Sequence, residues 1–94
     1  VMSLLIEGDK RCPRIEVNTS EGLIEISGIS LPENPYNYYL PLHKKLDSYI
    51  KDPKEMTKLN FRLEYFNTGS ALALRNTIQK LCDHLPEGTL EEKW

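Results

Sequence analysis

The sequence predicts a mixed α/β domain: one β-sheet with two amphipathic helices on a single face, in the order β-β-β-α-β-α. Three observations carry this. Alternating apolar and polar residues mark strands at Arg14–Asn18, Leu23–Gly28 and Leu59–Tyr65. Apolar residues at three- and four-residue spacing mark helices after Asn34 and after Ser70. Each helix has one apolar stripe, so each buries one side and belongs on the same layer.

The chain has 94 residues, enough for one domain with one modest core. Hydrophobic residues are 39% and charged residues 28%, a globular rather than a disordered balance. A formal net charge of −2 counts against nucleic acid as the main partner. Apolar runs such as Ala71–Leu74 are far too short to span a bilayer. The stretch Val1 to Glu7 has no basic lead and reaches an acidic residue quickly, unlike a secretory leader. A cytoplasmic protein is therefore expected, with Cys12 and Cys82 as free thiols.

Leu4 to Glu7 is a short apolar stretch. In Arg14–Asn18, Ile15 and Val17 share a face, and in the next strand Ile24 and Ile26 do. Thr19-Ser20-Glu21-Gly22 between them is turn chemistry, which makes the pair a hairpin. Leu31-Pro32-Glu33-Asn34-Pro35 then breaks the pattern. Tyr39, Leu42, Leu46, Tyr49 and Ile50 form the first helical stripe. Asn34 followed by Pro35 is a good helix start, yet Pro41 interrupts the stripe, and a proline in a helix interior costs about 3 kcal/mol. Two starts stay open, one at Pro35 and one near Pro41. Lys51-Asp52-Pro53 ends this helix. Leu59–Tyr65 is the clearest strand, and Phe66 breaks its alternation. Leu74, Ile78, Leu81, Cys82 and Leu85 stripe the second helix, which stops at Pro86-Glu87-Gly88. Leu90 to Trp94 reads as a stub, too short to supply much of a strand. The expectation is a C-terminal truncation of the domain, with one strand and one helix outside the chain. The open sheet edge so left would invite dimerisation.

Chemistry is concentrated at Asn67-Thr68-Gly69-Ser70, where a strand hands over to a helix. The first turn of a helix has unpaired N–H groups and partial positive charge, so it favours an anion. A phosphate on Thr68 would add nearly two negative charges there and transform the surface for a docked partner. The plainer reading is an N-cap contributing about 1 kcal/mol, with Thr68 or Ser70 as the cap and Gly69 easing the turn. On physical grounds alone the cap is the stronger reading. If Ser70 caps, Thr68 is left free. His43 and His84 sit on different elements and form no ligand set, and no nucleophile triad or phosphate-binding glycine loop occurs, so no catalytic residue, metal or cofactor is expected. Tyr36 and Tyr38 read equally as core caps or as part of a docking surface.

Two motifs together, Leu31-Pro32-Glu33-Asn34-Pro35-Tyr36 and Leu63-Glu64-Tyr65-Phe66-Asn67-Thr68-Gly69-Ser70, resemble the SiaC family of bacterial regulatory phosphoproteins. The resemblance runs from about Ile6 to Leu85. It implies a STAS-like sheet, the fold of anti-sigma factor antagonists. It also implies a non-enzymatic switch in which a serine/threonine kinase phosphorylates Thr68 and a PP2C-type phosphatase reverses it. The unphosphorylated form is implied to bind and activate a diguanylate cyclase, in cyclic-di-GMP and biofilm signalling. Asn67, Gly69 and Ser70, with Glu33, Asn34 and Tyr36, are the implied switch turn and docking surface. Glu33 and Asn34 either touch the partner or brace the turn. Two other functions stay open: a small phosphate-ligand binder or enzyme using the helix start at Thr68–Ser70, and a structural interaction subunit.

Overall fold

A computed structural model describes residues 3–93. It contains β1 (Leu4–Ile6), β2 (Arg14–Asn18), β3 (Leu23–Ser30), α1 (Pro35–Tyr49), β4 (Thr57–Phe66), α2 (Thr68–His84) and β5 (Leu90–Lys93). The strands lie side by side in chain order. β1, β2 and β3 are antiparallel neighbours, whereas β3, β4 and β5 are parallel. A loop over residues 7–13 and a turn over residues 19–22 suffice for the antiparallel part; each parallel step needs a crossover, and the two helices supply them.

Alternation sorts the sheet into two faces. Ile15, Val17, Ile24, Ile26, Leu59 and Phe61 are buried and join one core with Tyr39, Leu42, Leu46 and Tyr49 of α1 and Ala73, Leu74 and Leu81 of α2. Both helices therefore cover the same face. The other face presents charge. Arg14 bonds Glu16 at 3.1 Å and approaches Glu25 at 4.0 Å, and Arg62 reaches Glu25 from β4 at 3.4 Å.

Three local features differ from, or decide between, the sequence expectations. α1 starts at Pro35 and continues through Pro41. Residue 41 lacks an N–H for the carbonyl of Asn37, but both residues are exposed, so water can take that carbonyl. In β4 the pairing jumps from Gly28↔Leu63 to Ile29↔Tyr65, which leaves Glu64 as an extra residue. This bulge resets the alternation and brings Phe66 to the helix side, where it lines a hollow with Ala71, Leu74 and Ile78. Finally, Leu90–Lys93 does form a strand. It pairs in parallel with Thr57–Asn60, so β5 completes a five-stranded sheet among the described residues. Trp94, the last residue of the expected stub, lies outside the described residues, as do Val1 and Met2.

Candidate functional site

Because β3 and β4 are parallel neighbours, they end together, with Ser30 paired to Phe66. The helices that follow them therefore start side by side, at the carboxyl end of the sheet where open α/β folds place their sites. Asn34 caps α1, its Oδ1 accepting from Asn37 N–H at 3.2 Å. Asn67 caps α2, its Oδ1 accepting from Ser70 N–H at 2.8 Å. The cap is thus neither Thr68 nor Ser70. Asn67 has the extended backbone of a cap residue, and the two hydroxyl residues already lie inside the first helical turn.

The two caps are tied together. Asn67 N–H donates to the carbonyl of Ser30 at 3.0 Å, and its Nδ2 donates to the carbonyl of Pro32 at 3.4 Å. Gly69 faces the ring of Pro35 so closely that a Cβ there would lie 2.8 Å from Pro35 Cγ. Two distant sequence motifs thus make one unit: paired helix starts in van der Waals contact. Within that unit Asn34 caps its own helix, and Gly69 leaves room for the Pro35 ring. Asn67→Ala should cost about 1 kcal/mol of stability from the lost cap. Urea unfolding checks this, and an unchanged midpoint would show that the cap contributes nothing.

The two hydroxyls of the turn have opposite fates. Thr68, first residue of α2, is exposed, and its hydroxyl meets no hydrogen-bond partner among the described residues. Ser70 is fully buried. Its Oγ donates to the carbonyl of Ser30 at 3.0 Å and accepts from Ser30 Oγ at 2.7 Å. Ser30 Oγ in turn accepts from the hydroxyl of Tyr39 at 2.7 Å. Burial pushes the Tyr39 phenol above its ordinary pKa, and the Ser30 contact partly offsets this.

Tyr36 and Gly69 line a groove of about 270 Å³ between the helix starts, together with Leu72 and His43. Tyr36 is 68% exposed and Leu72 59%, while Tyr65 and Phe66 stand exposed at the end of β4, directly before Asn67. The two tyrosines differ in exposure. Tyr36 is surface; Tyr38 is half-buried and donates its hydroxyl to the carbonyl of Pro13 at 2.7 Å. Burial raises the Tyr38 pKa to about 12. Glu33 is exposed and lines a different hollow, beside Asp9, Arg11 and Cys12.

His43 deepens the groove. The Thr77 hydroxyl donates to the carbonyl of Ala73 at 2.9 Å, so it accepts from His43 Nε2–H, also at 2.9 Å. Burial chiefly, and then the Lys80 ammonium, hold the His43 pKa below 6.5, with Ala73 and Asp47 opposing them. A depressed histidine pKa means that the unfolded chain binds the proton more tightly. Stability linked to His43 is therefore intact above the ordinary pKa and declines as pH falls through and below that value. Unfolding midpoints from pH 7.5 to 5 should fall more for the wild type than for His43→Gln; parallel curves would refute this.

Sequence reading missed Ser30, Tyr39 and Leu72 as parts of this site. Ser30 had a usable signal: it shares the inward register of Ile24 and Ile26, where a polar side chain needs a partner. Cys12 and Cys82 are not paired with each other. Among the described residues no cluster of His, Cys, Asp or Glu is arranged to hold a metal, and no helix is long and apolar enough to cross a membrane.

Comparison with known proteins agrees with this architecture. The structure of apo-SiaC from Pseudomonas aeruginosa superposes with a TM-score of 0.91 and 25% identity, covering 100% of this chain and 78% of that one. SiaC in the structure of diguanylate cyclase SiaD in complex with its activator SiaC, from the same organism, gives 0.87 and 26%, covering 97% and 75%. A curated protein of uncharacterised function from P. aeruginosa strain UCBPP-PA14 is 28% identical over 78 residues, which is 83% of this chain. The chain spans 62% of that relative's length. The family described as SiaC family regulatory phosphoprotein matches residues 6–94, so the chain belongs to the SiaC family.

Proposed function

We propose that this chain is a non-enzymatic, cytoplasmic regulator switched by reversible phosphorylation of Thr68, whose unphosphorylated form binds and activates a diguanylate cyclase. A serine/threonine kinase adds the phosphate and a PP2C-type phosphatase removes it. One observation carries this reading: the free, exposed Thr68 hydroxyl stands at the start of α2, just after exposed Tyr65 and Phe66 in the chain and next to Gly69 of the groove lined by exposed Tyr36 and Leu72. Exposed apolar residues of this kind mark a surface that other proteins cover. The activator role named for SiaC in its complex with SiaD gives the partner class.

A phosphate at this position acts on the surface rather than on the core. The first turn of α2 offers the N–H groups of Thr68 and Gly69, which lack intrahelical acceptors, and the positive end of the helix dipole. The fold tolerates the new charge, whereas an apolar partner face does not. A small phosphorylated ligand is the weaker reading. Arg62, one of the two arginines nearest in sequence, is engaged with Glu25 on the opposite face of the sheet.

Intact-mass analysis of the chain from its native host, with fragment mapping, tests the proposal. A phosphate increment placed on Thr68, and lost on treatment with a PP2C-type phosphatase, is the expected result. Absence of phosphate from Thr68 under every growth condition would overturn it.

A further inference from the structure

The turn carries two hydroxyl residues with a single residue between them, yet the proposed switch uses one. We propose that Ser30 and Tyr39 are specificity-determining residues for this modification: they hold Ser70 inside the protein and so leave Thr68 as the sole acceptor of the turn. The inference rests on the Thr68 reading above and adds the device that selects it.

The geometry admits one order of donors. Ser70 Oγ gives its proton to the Ser30 carbonyl, Ser30 Oγ gives its proton to Ser70 Oγ, and the Tyr39 phenol gives its proton to Ser30 Oγ. The chain thus runs from α1 through the end of β3 to the first turn of α2, and every member is fully buried. Ser70 Oγ has no proton left for a phosphoryl donor and no exposed surface to meet one. Drawing Ser70 out would also leave the Ser30 hydroxyl proton without its buried acceptor, and a buried polar group without a partner is costly. Thr68 has no such tether. Gly69 between them lets the Pro35 ring close over the turn and keeps the two helix starts together.

The test uses the full chain as wild type, Tyr39→Phe, Ser30→Ala and the double variant, each produced in the native host. Phosphosites are mapped by fragmentation mass spectrometry, and Ser70 amide exchange is measured on the purified proteins. Tyr39→Phe removes one hydroxyl at constant ring volume, so circular dichroism should show an unchanged fold. Losing one buried hydrogen bond should speed Ser70 amide exchange roughly tenfold, and more in the double variant. Phosphate confined to Thr68 in the wild type should spread to Ser70 in the variants, and Ser70→Ala placed on the double variant should remove that second site. Phosphate on Thr68 alone in every variant would overturn the selection mechanism while leaving the Thr68 switch standing. Phosphate on Ser70 in the wild type would overturn both. If the wild type carries none, the switch reading fails by itself. Exchange then decides the present proposal: Ser70 protection unchanged in the double variant overturns it.

Discussion

Gly22→Ala should destabilise the protein by about 3 kcal/mol, and so lower its melting temperature by on the order of 15 °C. Two causes add. Gly22 sits at φ 67°, a left-handed conformation that costs a residue with a Cβ roughly 1–2 kcal/mol. A Cβ there would also lie 2.6 Å from the carbonyl oxygen of Met56 and 2.8 Å from the hydroxyl of Tyr49. Neither neighbour has room to yield. Tyr49 is buried, pairs with Thr57 Oγ1 at 2.8 Å and accepts from Lys54 N–H at 3.1 Å. Met56 leads straight into β4, whose Lys58 N–H donates to the Gly22 carbonyl at 2.8 Å. Gly88→Ala is the control, because Gly88 has φ 81° but open space around it. It should lose only the conformational part, about 1–2 kcal/mol. Thermal and urea unfolding followed by circular dichroism measure both variants. Equal losses would show that the close approach at Gly22 contributes nothing.

Gly22 also shows where sequence reading works. The hairpin was legible because every signal there is local: alternation in both strands, turn residues between them, and a glycine where the chain needs positive φ. The register Ile15↔Ile26 and Val17↔Ile24 follows from putting all four side chains on one face. Where a local rule is broken by a distant partner, the reading stops. Phe66 looked like an irregular strand end, since the bulge at Glu64 is visible only against the register of β3. β5 has four residues and no period of its own; its place comes from the free edge that β4 offers. Pro41 left the start of α1 undecided because its cost depends on whether the orphaned carbonyl faces water.

The site divides the same way. The turn itself was legible, since a strand, a hydroxyl, a glycine and a helix start are contiguous at Asn67–Ser70. Its internal roles were not. Asn67, Thr68 and Ser70 are all competent caps, and composition cannot rank them. The structure ranks them through contacts made across the fold: Asn67 is held by Ser30 and Pro32, and Ser70 by Ser30. The motif around Glu33 and the motif around Thr68 look like two features in the sequence. They are one feature because parallel β3 and β4 end at the same level and Pro35 rests on Gly69. Glu33 instead lines the hollow beside the loop at Asp9–Cys12.

Thr68→Glu should lower affinity for the proposed partner, a diguanylate cyclase of the same organism, by at least about 100-fold, while the fold stays intact or gains slightly. The two signs come from one charge. At the first position of α2 a carboxylate faces the positive end of the helix dipole, which is worth about 0.3–1 kcal/mol to the folded state. Toward a partner seated over Tyr36, Leu72, Tyr65 and Phe66, the same carboxylate must be stripped of water or held against the apolar face. A buried charge left unpaired at an interface costs 2–5 kcal/mol or more, on the order of 100-fold in affinity near the middle of that range. Thr68→Val keeps the shape and removes the hydroxyl, so it should bind as the unmodified protein does and no longer respond to the kinase. Isothermal titration calorimetry on the three proteins, with melting temperatures measured alongside, separates surface from fold. The diagnostic pattern is lost binding in Thr68→Glu at an unchanged or higher melting temperature. Equal affinities across wild type, Thr68→Val and Thr68→Glu would remove Thr68 from the docking surface, since a charge placed inside a desolvated contact cannot be silent.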